Sequence, residues 1–358
     1  MSEAASDLGV AVIGAGAWGK NHVRNFARMP GARLRHVCDA DAEARRAVAA
    51  AHPGVAVAPE ARAAFDDPSV AAVVIATDAP SHADLARAAL DAGKDVLVEK
   101  PLALSSADAE ALCELADANG RILMVGHLLL YHPAVDLLRR LVAEGELGDI
   151  LYLTCQRLNL GVVRRDENAW WSLAPHDVSV ANFLLGAEPE EVNATGAAFL
   201  QVERGVEDVV FATMHYPDRR LAHVHVSWLD PHKTRRITVV GSRKMAVFDD
   251  TSADQKLVVF DKGVEPPPAT LSYAEGIRVR TGDIRIPALR MAEPLRREGE
   301  AFLESVRTRE PPRADGRSGL AVVRTLEAGS RSMAAAGRGV EVASAGRGDA
   351  TGAGREQP

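Results

Sequence analysis

The chain has few cysteines: only Cys38, Cys113 and Cys155 in 358 residues. They are far apart and odd in number, which argues against a disulfide framework or a CxxC zinc site and leaves reduced thiols in or near a core. No apolar run reaches the roughly 18 residues that span a bilayer. Residues 1–8 lack the basic start and apolar stretch of a signal peptide, so the expected location is the cytoplasm. A large charge excess is missing too. Lys and Arg number 42 against 49 Asp and Glu, a net charge of −7, which argues against nucleic acid or a membrane surface as partner. An anionic substrate in a locally basic site stays open.

What is present is length and apolar content. A chain of 358 residues exceeds one ordinary core, so two domains are expected. Leu8–Ile13 reads as a buried strand, Ala17–Met29 as a helix, Leu34–Cys38 as a strand and Ala42–Ala51 as a helix. Val70–Ala76 is apolar throughout, as in a parallel strand covered on both faces. Helices over Ser81–Ala92 and Ala107–Ala118 alternate with strands at Asp95–Val98 and Ile122–Val125. The alternation predicts an α/β doubly wound parallel sheet of Rossmann type over residues 1–127.

Past residue 150 the texture changes. Ile150–Leu158 is strand-like and a short helix runs from about His176 to Leu185. Val209–Tyr216 and Leu221–Leu229 flank Pro217-Asp218, and Arg236–Val240 and Met245–Asp249 flank Gly241-Ser242, giving two hairpins. Helices follow over 292–307 and 317–334. This predicts an α+β domain with an open antiparallel sheet over 128–335, its last helix able to pack back on the first domain. A Gly-, Ala-, Ser- and Arg-rich disordered tail is expected over 336–358.

Gly14-Ala15-Gly16-Ala17-Trp18-Gly19 fits G-x-G-x-x-G between a strand and a helix, the context that gives the pattern meaning. Gly14 permits a tight turn, Gly16 a close approach of pyrophosphate, and Gly19 close helix–strand packing. The amides at the helix start, Ala17 and Trp18 among them, offer N–H groups and a positive dipole end to phosphate. Asp39 stands twenty residues after Gly19, where a carboxylate accepts ribose hydroxyls and repels a 2′-phosphate. The cofactor expected is NAD.

Glu99-Lys100-Pro101 lies just past a predicted parallel strand, at the sheet edge where ligands bind. Lysine there can donate a proton or, when desolvated, accept one; position alone favours an ordinary surface lysine.

With the glycine loop, Asp39, Thr77, His82, Glu99-Lys100-Pro101 and Gly126-His127 in place, the sequence resembles the glucose–fructose oxidoreductase / inositol dehydrogenase (Gfo/Idh/MocA) family over roughly residues 8–335. The stretches Asn159…Arg164…Asp166…Trp171-Ser172…Pro175-His176-Asp177 and Ser227-Trp228-Leu229-Asp230-Pro231 with Lys233 and Arg235 are similar to nucleotide-sugar 3-dehydrogenases. The resemblance implies NAD-dependent oxidation of a sugar hydroxyl, C3 of a UDP-hexose such as UDP-glucose or UDP-GlcNAc. A place in amino-sugar or antibiotic-precursor synthesis with a downstream aminotransferase would follow. It implies Lys100 and His176 as the acid–base pair, Thr77, His82 and Glu99 near the cofactor, and Arg157 and Asn159 in the substrate cleft. It also implies a homodimer or homotetramer built on the open sheet face, where Val224, Val226 and Trp228 need covering. One departure stands out: Ser172 occupies a position where many relatives carry Asp. We expect Lys100 and His176 to suffice, with Ser172 relaying or accepting a hydrogen bond. A catalytically silent NAD-binding regulator is the rival that Ser172 keeps open, and a polyol, inositol or aminocyclitol substrate is the rival among enzymes.

Other residues read less sharply. Arg164, Arg165 and Asn168 suit diphosphate or hydroxyl recognition, or form a solvated loop. Lys233 and Arg235 could meet a diphosphate or be plain surface charges. Tyr131 follows the Gly126-His127 turn and could touch substrate. One of Trp170 and Trp171 is core, and the other, taken as Trp171, could wall the sugar. His223 and His225 alternate to one strand face, with no carboxylate or cysteine spaced to complete a metal site, so no metal is expected.

Overall fold

The computed structural model describes residues 7–165, 167–265 and 278–343. Strands β1 (Leu8–Ile13), β2 (Ala32–Cys38), β3 (Ala56–Ala58), β4 (Ala72–Ile75), β5 (Asp95–Val98) and β6 (Leu123–Val125) form a parallel sheet in the order β3-β2-β1-β4-β5-β6. Helices α1 (Gly19–Phe26), α2 (Ala42–Ala51), α3 (Arg62–Phe65), α4 (His82–Asp91) and α5 (Ser106–Ala118) connect them. Val12, Val74 and Leu97 have no exposed surface, because β1, β4 and β5 are covered on both faces. Ser105 caps α5 by accepting from the Asp108 amide at 3.1 Å, the capping pattern its spacing suggests. Helix α1 is shorter than expected, because residues 14–18 form the loop that turns toward the sheet edge.

The second half contains α6 (Pro133–Ala143), β7 (Ile150–Leu158), α7 (Ala169–Leu185), β8 (Glu191–Ala197), β9 (Val209–His215), β10 (Leu221–Ser227), β11 (Thr234–Gly241), β12 (Met245–Asp249), β13 (Leu257–Glu265), β14 (Arg278–Arg285), α8 (Pro294–Thr308), α9 (Gly316–Ala334) and β15 (Val340–Glu341). Its nine strands run β14-β13-β12-β11-β7-β10-β9-β8-β15. The expected hairpins β9–β10 and β11–β12 are present. The sheet is mixed rather than purely antiparallel, because β10 runs parallel to β7. The chain leaves the sheet through α7 after β7 and returns by way of β8 and β9.

Val224, Val226 and Trp228 correct the expectation for the open face: they are buried in the core, on the β10 side that packs α7. The outer face carries Tyr152, Phe211, Leu221, His223 and His225, with Phe211 and His225 stacked at 4.3 Å. Helix α9 packs on α5 and β6 of the first sheet and on α7 and β8 of the second. One apolar core therefore runs through both halves. The chain stays regular past residue 336, and β15 pairs with β8; the tail expectation over 344–358 lies outside the described residues. The three cysteines are buried and unpaired, and burial pushes the Cys38 and Cys113 thiols up to about 11. Among the described residues no helix is long and apolar enough to cross a membrane.

Candidate active site

The glycine loop follows β1 at the carboxyl edge of the parallel sheet. Gly14 has φ +87°, and a Cβ there would meet the Ala76 carbonyl oxygen at 2.7 Å. A Cβ on Gly19 would lie 2.0 Å from the Gly14 carbonyl oxygen, whereas one on Gly16 would meet nothing within 4 Å. The outer glycines are thus required by packing, and the middle one faces open space where a ligand can approach. No side chain caps α1; the Lys20 and Asn21 amides bond back to the Gly16 and Trp18 carbonyls at 3.3 and 2.9 Å, which leaves the loop amides just ahead of them to meet phosphate. Asp39 ends β2. Its carboxylate accepts from the Ala15 amide at 2.6 Å and the Asp41 amide at 2.8 Å, holding the loop in shape beside the ribose position. Arg45, a cation the sequence reading passed over, is tied to the Asp39 and Ala40 carbonyls. These residues fit a dinucleotide.

Glu99 is buried after β5 and accepts from the Trp18 indole and from His22 at 2.8 Å. Trp18 and His22 are four residues apart at the start of α1, so they share a face. Against the cost of burial, these bonds and the Lys100 charge hold the Glu99 carboxyl below its ordinary value. Glu99 therefore braces the glycine loop from the protein side. His82 is likewise buried, its nitrogens on the Pro101 and Thr77 carbonyls at 2.8 and 3.0 Å. It ties two loops of the sheet edge together. The Thr77 hydroxyl bonds to Ser81 at 2.7 Å.

Lys100 crosses to α7, where its Nζ donates to the Ser172 carbonyl oxygen at 3.0 Å. Pro175 lies inside α7 and cannot donate to the turn before it, which loosens this stretch of helix. Burial pushes the Lys100 ammonium down from its ordinary value, against the opposing charges of Glu167 and Glu99. Ser172 is buried and contributes its main chain, not the side-chain relay expected of it. One turn on, burial and then the charges of Arg157, Lys100, His127 and Arg235 hold the His176 imidazole well below its ordinary value. A neutral imidazole and a desolvated amine thus share one corner of the sheet edge, an arrangement able to take a proton from a hydroxyl and stabilise the oxygen left behind.

Several residues expected to touch substrate are held by protein partners, and others stay exposed. Arg157 is buried and bidentate to Asp177, at 2.8 and 3.0 Å, so it acts on the site through its charge. Asn168 caps α7 by accepting from the Trp171 amide at 3.0 Å and donates to Glu207 at 2.8 Å, which spends its side chain. Its cap also starts α7 seven residues before the expected His176. Trp171 turns to α9, its indole donating to Ser330 at 3.0 Å, and Trp170 is the core member of the pair. Tyr131 is buried, its hydroxyl accepting from the Ala314 amide at 3.3 Å, because a single helical turn over 128–131 swings it inward. Arg164 pairs with Glu167 at 2.9 Å and Arg235 with Asp250 at 3.4 Å. Arg165 and Asn159 are exposed. Among the described residues no group of three or more His, Cys, Asp or Glu side chains could hold a metal ion.

Sequence reasoning missed Asp177, His22 and Asp208. Asp208 is buried, accepts from the Phe199 and Leu200 amides at 2.7 and 2.8 Å, and takes the Trp228 indole at 2.5 Å. Trp228 was the only signal for it.

A parallel six-stranded sheet with this glycine loop, met near its carboxyl edge by helix α7 of the second half, defines a dinucleotide-dependent dehydrogenase. The chain belongs to the GFO/IDH/MocA family: residues 8–127 match the oxidoreductase family with an NAD-binding Rossmann fold, and residues 135–247 match the GFO/IDH/MocA C-terminal domain. Its cofactor is NAD. It is 30% identical over 239 residues to the UDP-N-acetylglucosamine 3-dehydrogenase of Acidithiobacillus ferrooxidans, covering 66% of this chain and 72% of that one. The solved structure of that enzyme superimposes with a TM-score of 0.77 at 26% identity, over 92% of this chain and 98% of that chain. The inositol 2-dehydrogenase of Streptomyces avermitilis is 37% identical over 185 residues, 51% of this chain and 54% of that one. GenD2 from gentamicin A biosynthesis, solved with NAD, superimposes with a TM-score of 0.79 at 26% identity, over 95% of this chain and 97% of that chain.

Proposed function

We propose that the protein oxidises a secondary hydroxyl of a sugar, C3 of a UDP-hexose of the UDP-glucose or UDP-GlcNAc type, to the ketone. The observation that carries this is the docking of Lys100 on the Ser172 carbonyl beside His176, next to the dinucleotide loop. NAD, when bound through Gly14–Gly19 and Asp39, supplies the hydride acceptor. His176 takes the hydroxyl proton, and Lys100 holds the oxygen as its charge develops. Arg164, Arg165 and Arg235 lie on the exposed rim, where a diphosphate can be met without desolvating them. Similarity to the UDP-N-acetylglucosamine 3-dehydrogenase supports the nucleotide sugar. A cytoplasmic homo-oligomer built on the outer sheet face, feeding a ketone to an aminotransferase, accords with this reading.

A polyol or aminocyclitol substrate is the second reading. It is favoured by the pairing of Arg157, Arg164 and Arg235 with carboxylates and by the inositol dehydrogenase relative. NADH formation with UDP-GlcNAc, UDP-glucose and myo-inositol separates the two. Lys100→Met is expected to lower turnover of the active substrate at least about a hundredfold; equal turnover removes Lys100 from the mechanism.

A further inference from the structure

His127 follows β6 and is 1% exposed. Neither of its ring nitrogens finds a partner among the described residues, and the same holds for His176 Nδ1 and Asn182 Nδ2. Each such buried group is costly unless something satisfies it. Ser179 and Asn182, three residues apart on α7, lie on one side of the helix, and His176 stands about one turn before Ser179. A cavity of about 280 Å³ lies against that side, lined by His127, Ser179, Asn182 and Ala321, with Glu188 and Arg313 also on its wall. Water occupies about 30 Å³ and settles where a cavity offers polar partners, so this space suits several molecules.

The charges around the two rings are those of Glu99 and Lys100 from the loop after β5, Arg157 from β7 and Arg235 from β11. Burial pushes His127 down to about 4, against the pull of Glu99 and together with the Lys100 charge. A neutral imidazole has one donor and one acceptor nitrogen. It can therefore receive a proton on one side and release one on the other.

We propose that this cavity is a water site that carries the proton of the reacting hydroxyl from His176, through His127, to solvent on the Glu188–Arg313 side. The inference rests on the role given to His176 above. Oxidation of an alcohol by NAD yields ketone, NADH and one proton. That proton leaves the hydroxyl for His176, a proton leaves His176 Nδ1 toward His127 or an intervening water, and one leaves the far nitrogen of His127 for the water chain. Both rings end neutral. His127 never touches the substrate; it acts through His176.

The test uses the full chain, with UDP-GlcNAc, UDP-glucose and myo-inositol as probe substrates, and two variants: His127→Phe, which removes the relay nitrogens, and Ala321→Met, which fills the cavity without touching the site. Melting curves confirm folding. Both variants are expected to lower kcat at least about tenfold with KM unchanged and to raise the solvent deuterium isotope effect, and added imidazole is expected to restore part of the His127→Phe loss. Isotope effects equal to wild type in both variants overturn the proposal and indicate proton exit through the substrate cleft. A second readout needs no turnover: NMR of the His127 ring, where fast N–H exchange with solvent that slows in Ala321→Met is expected, and slow exchange in wild type overturns the passage. If no probe is turned over, the substrate reading fails and the exchange measurement alone judges the water site.

Discussion

Replacing Asp177 by asparagine tests how the site is held. Asp177 and Arg157 form a bidentate pair whose side chains are 1% and 9% exposed, joining β7 to α7 one residue from His176. An exposed ion pair is worth under about 1 kcal/mol; this one is out of water, so the loss is governed by the guanidinium left behind. Breaking a buried pair in this way costs about 3–5 kcal/mol. For a large cooperative unit each kcal/mol shifts Tm by about 2 °C, so Asp177→Asn is expected to melt roughly 6–10 °C below wild type in calorimetry. The double variant Arg157→Met/Asp177→Leu is expected to recover most of that loss, because an apolar pair of similar volume leaves no charge buried. A shift below about 2 °C for the single variant, or a double variant no better than the single, would show that water or another group already satisfies Arg157 and that the pair does not brace the site.

Three further outcomes follow from the same geometry. His176 must be neutral to accept a proton, and its surroundings hold it well below the usual histidine value. The acid limb of kcat/KM for alcohol oxidation is therefore expected well below the ordinary histidine range, and a limb within that range would contradict the burial of this ring. Gly16→Val, at a position with open space, is expected to leave Tm within about 1 °C while weakening NAD binding at least about tenfold in calorimetric titration, whereas Gly19→Ala, 2.0 Å from a carbonyl oxygen, is expected to lower Tm itself. Glu298 is fully buried without partners among the described residues, and burial, then the Glu99 charge, pushes its carboxyl well above the ordinary value. The native state keeps a proton that the unfolded chain releases near pH 4.3, so this group's contribution is full below that pH and is lost as pH rises toward its native value. Glu298→Gln is expected to flatten the fall of Tm as pH rises above the ordinary glutamate value, and an unchanged slope would refute the assignment.

The first sheet was readable because its signals are local: an apolar run, a glycine turn and a capped helix recur within about thirty residues. The second sheet was only partly so. Alternation along β10 separates His223 and His225 from Val224 and Val226, but which set faces inward depends on where α7 lies, and nothing within ten residues says so. The parallel pairing of β7 with β10 joins residues 69 positions apart, as in Leu221 with Tyr152, and left no mark in either strand. Pro175 and the paired tryptophans hid the true start of α7, which Asn168 sets. Within the site, the residue types of Lys100 and His176 were informative, whereas Arg157, Asn168 and Trp171 were misread because their partners Asp177, Glu207 and Ser330 come from elsewhere in the chain.

The clasp of Glu99 on Trp18 and His22 has one more implication. Glu99 and Lys100 are neighbours in the chain, so the segment that grips the phosphate loop also aims the amine. The backbone that seats the glycine loop is continuous with the backbone that sets the amine against α7, so the phosphate grip and the aim of the proton donor are fixed by one short stretch of chain.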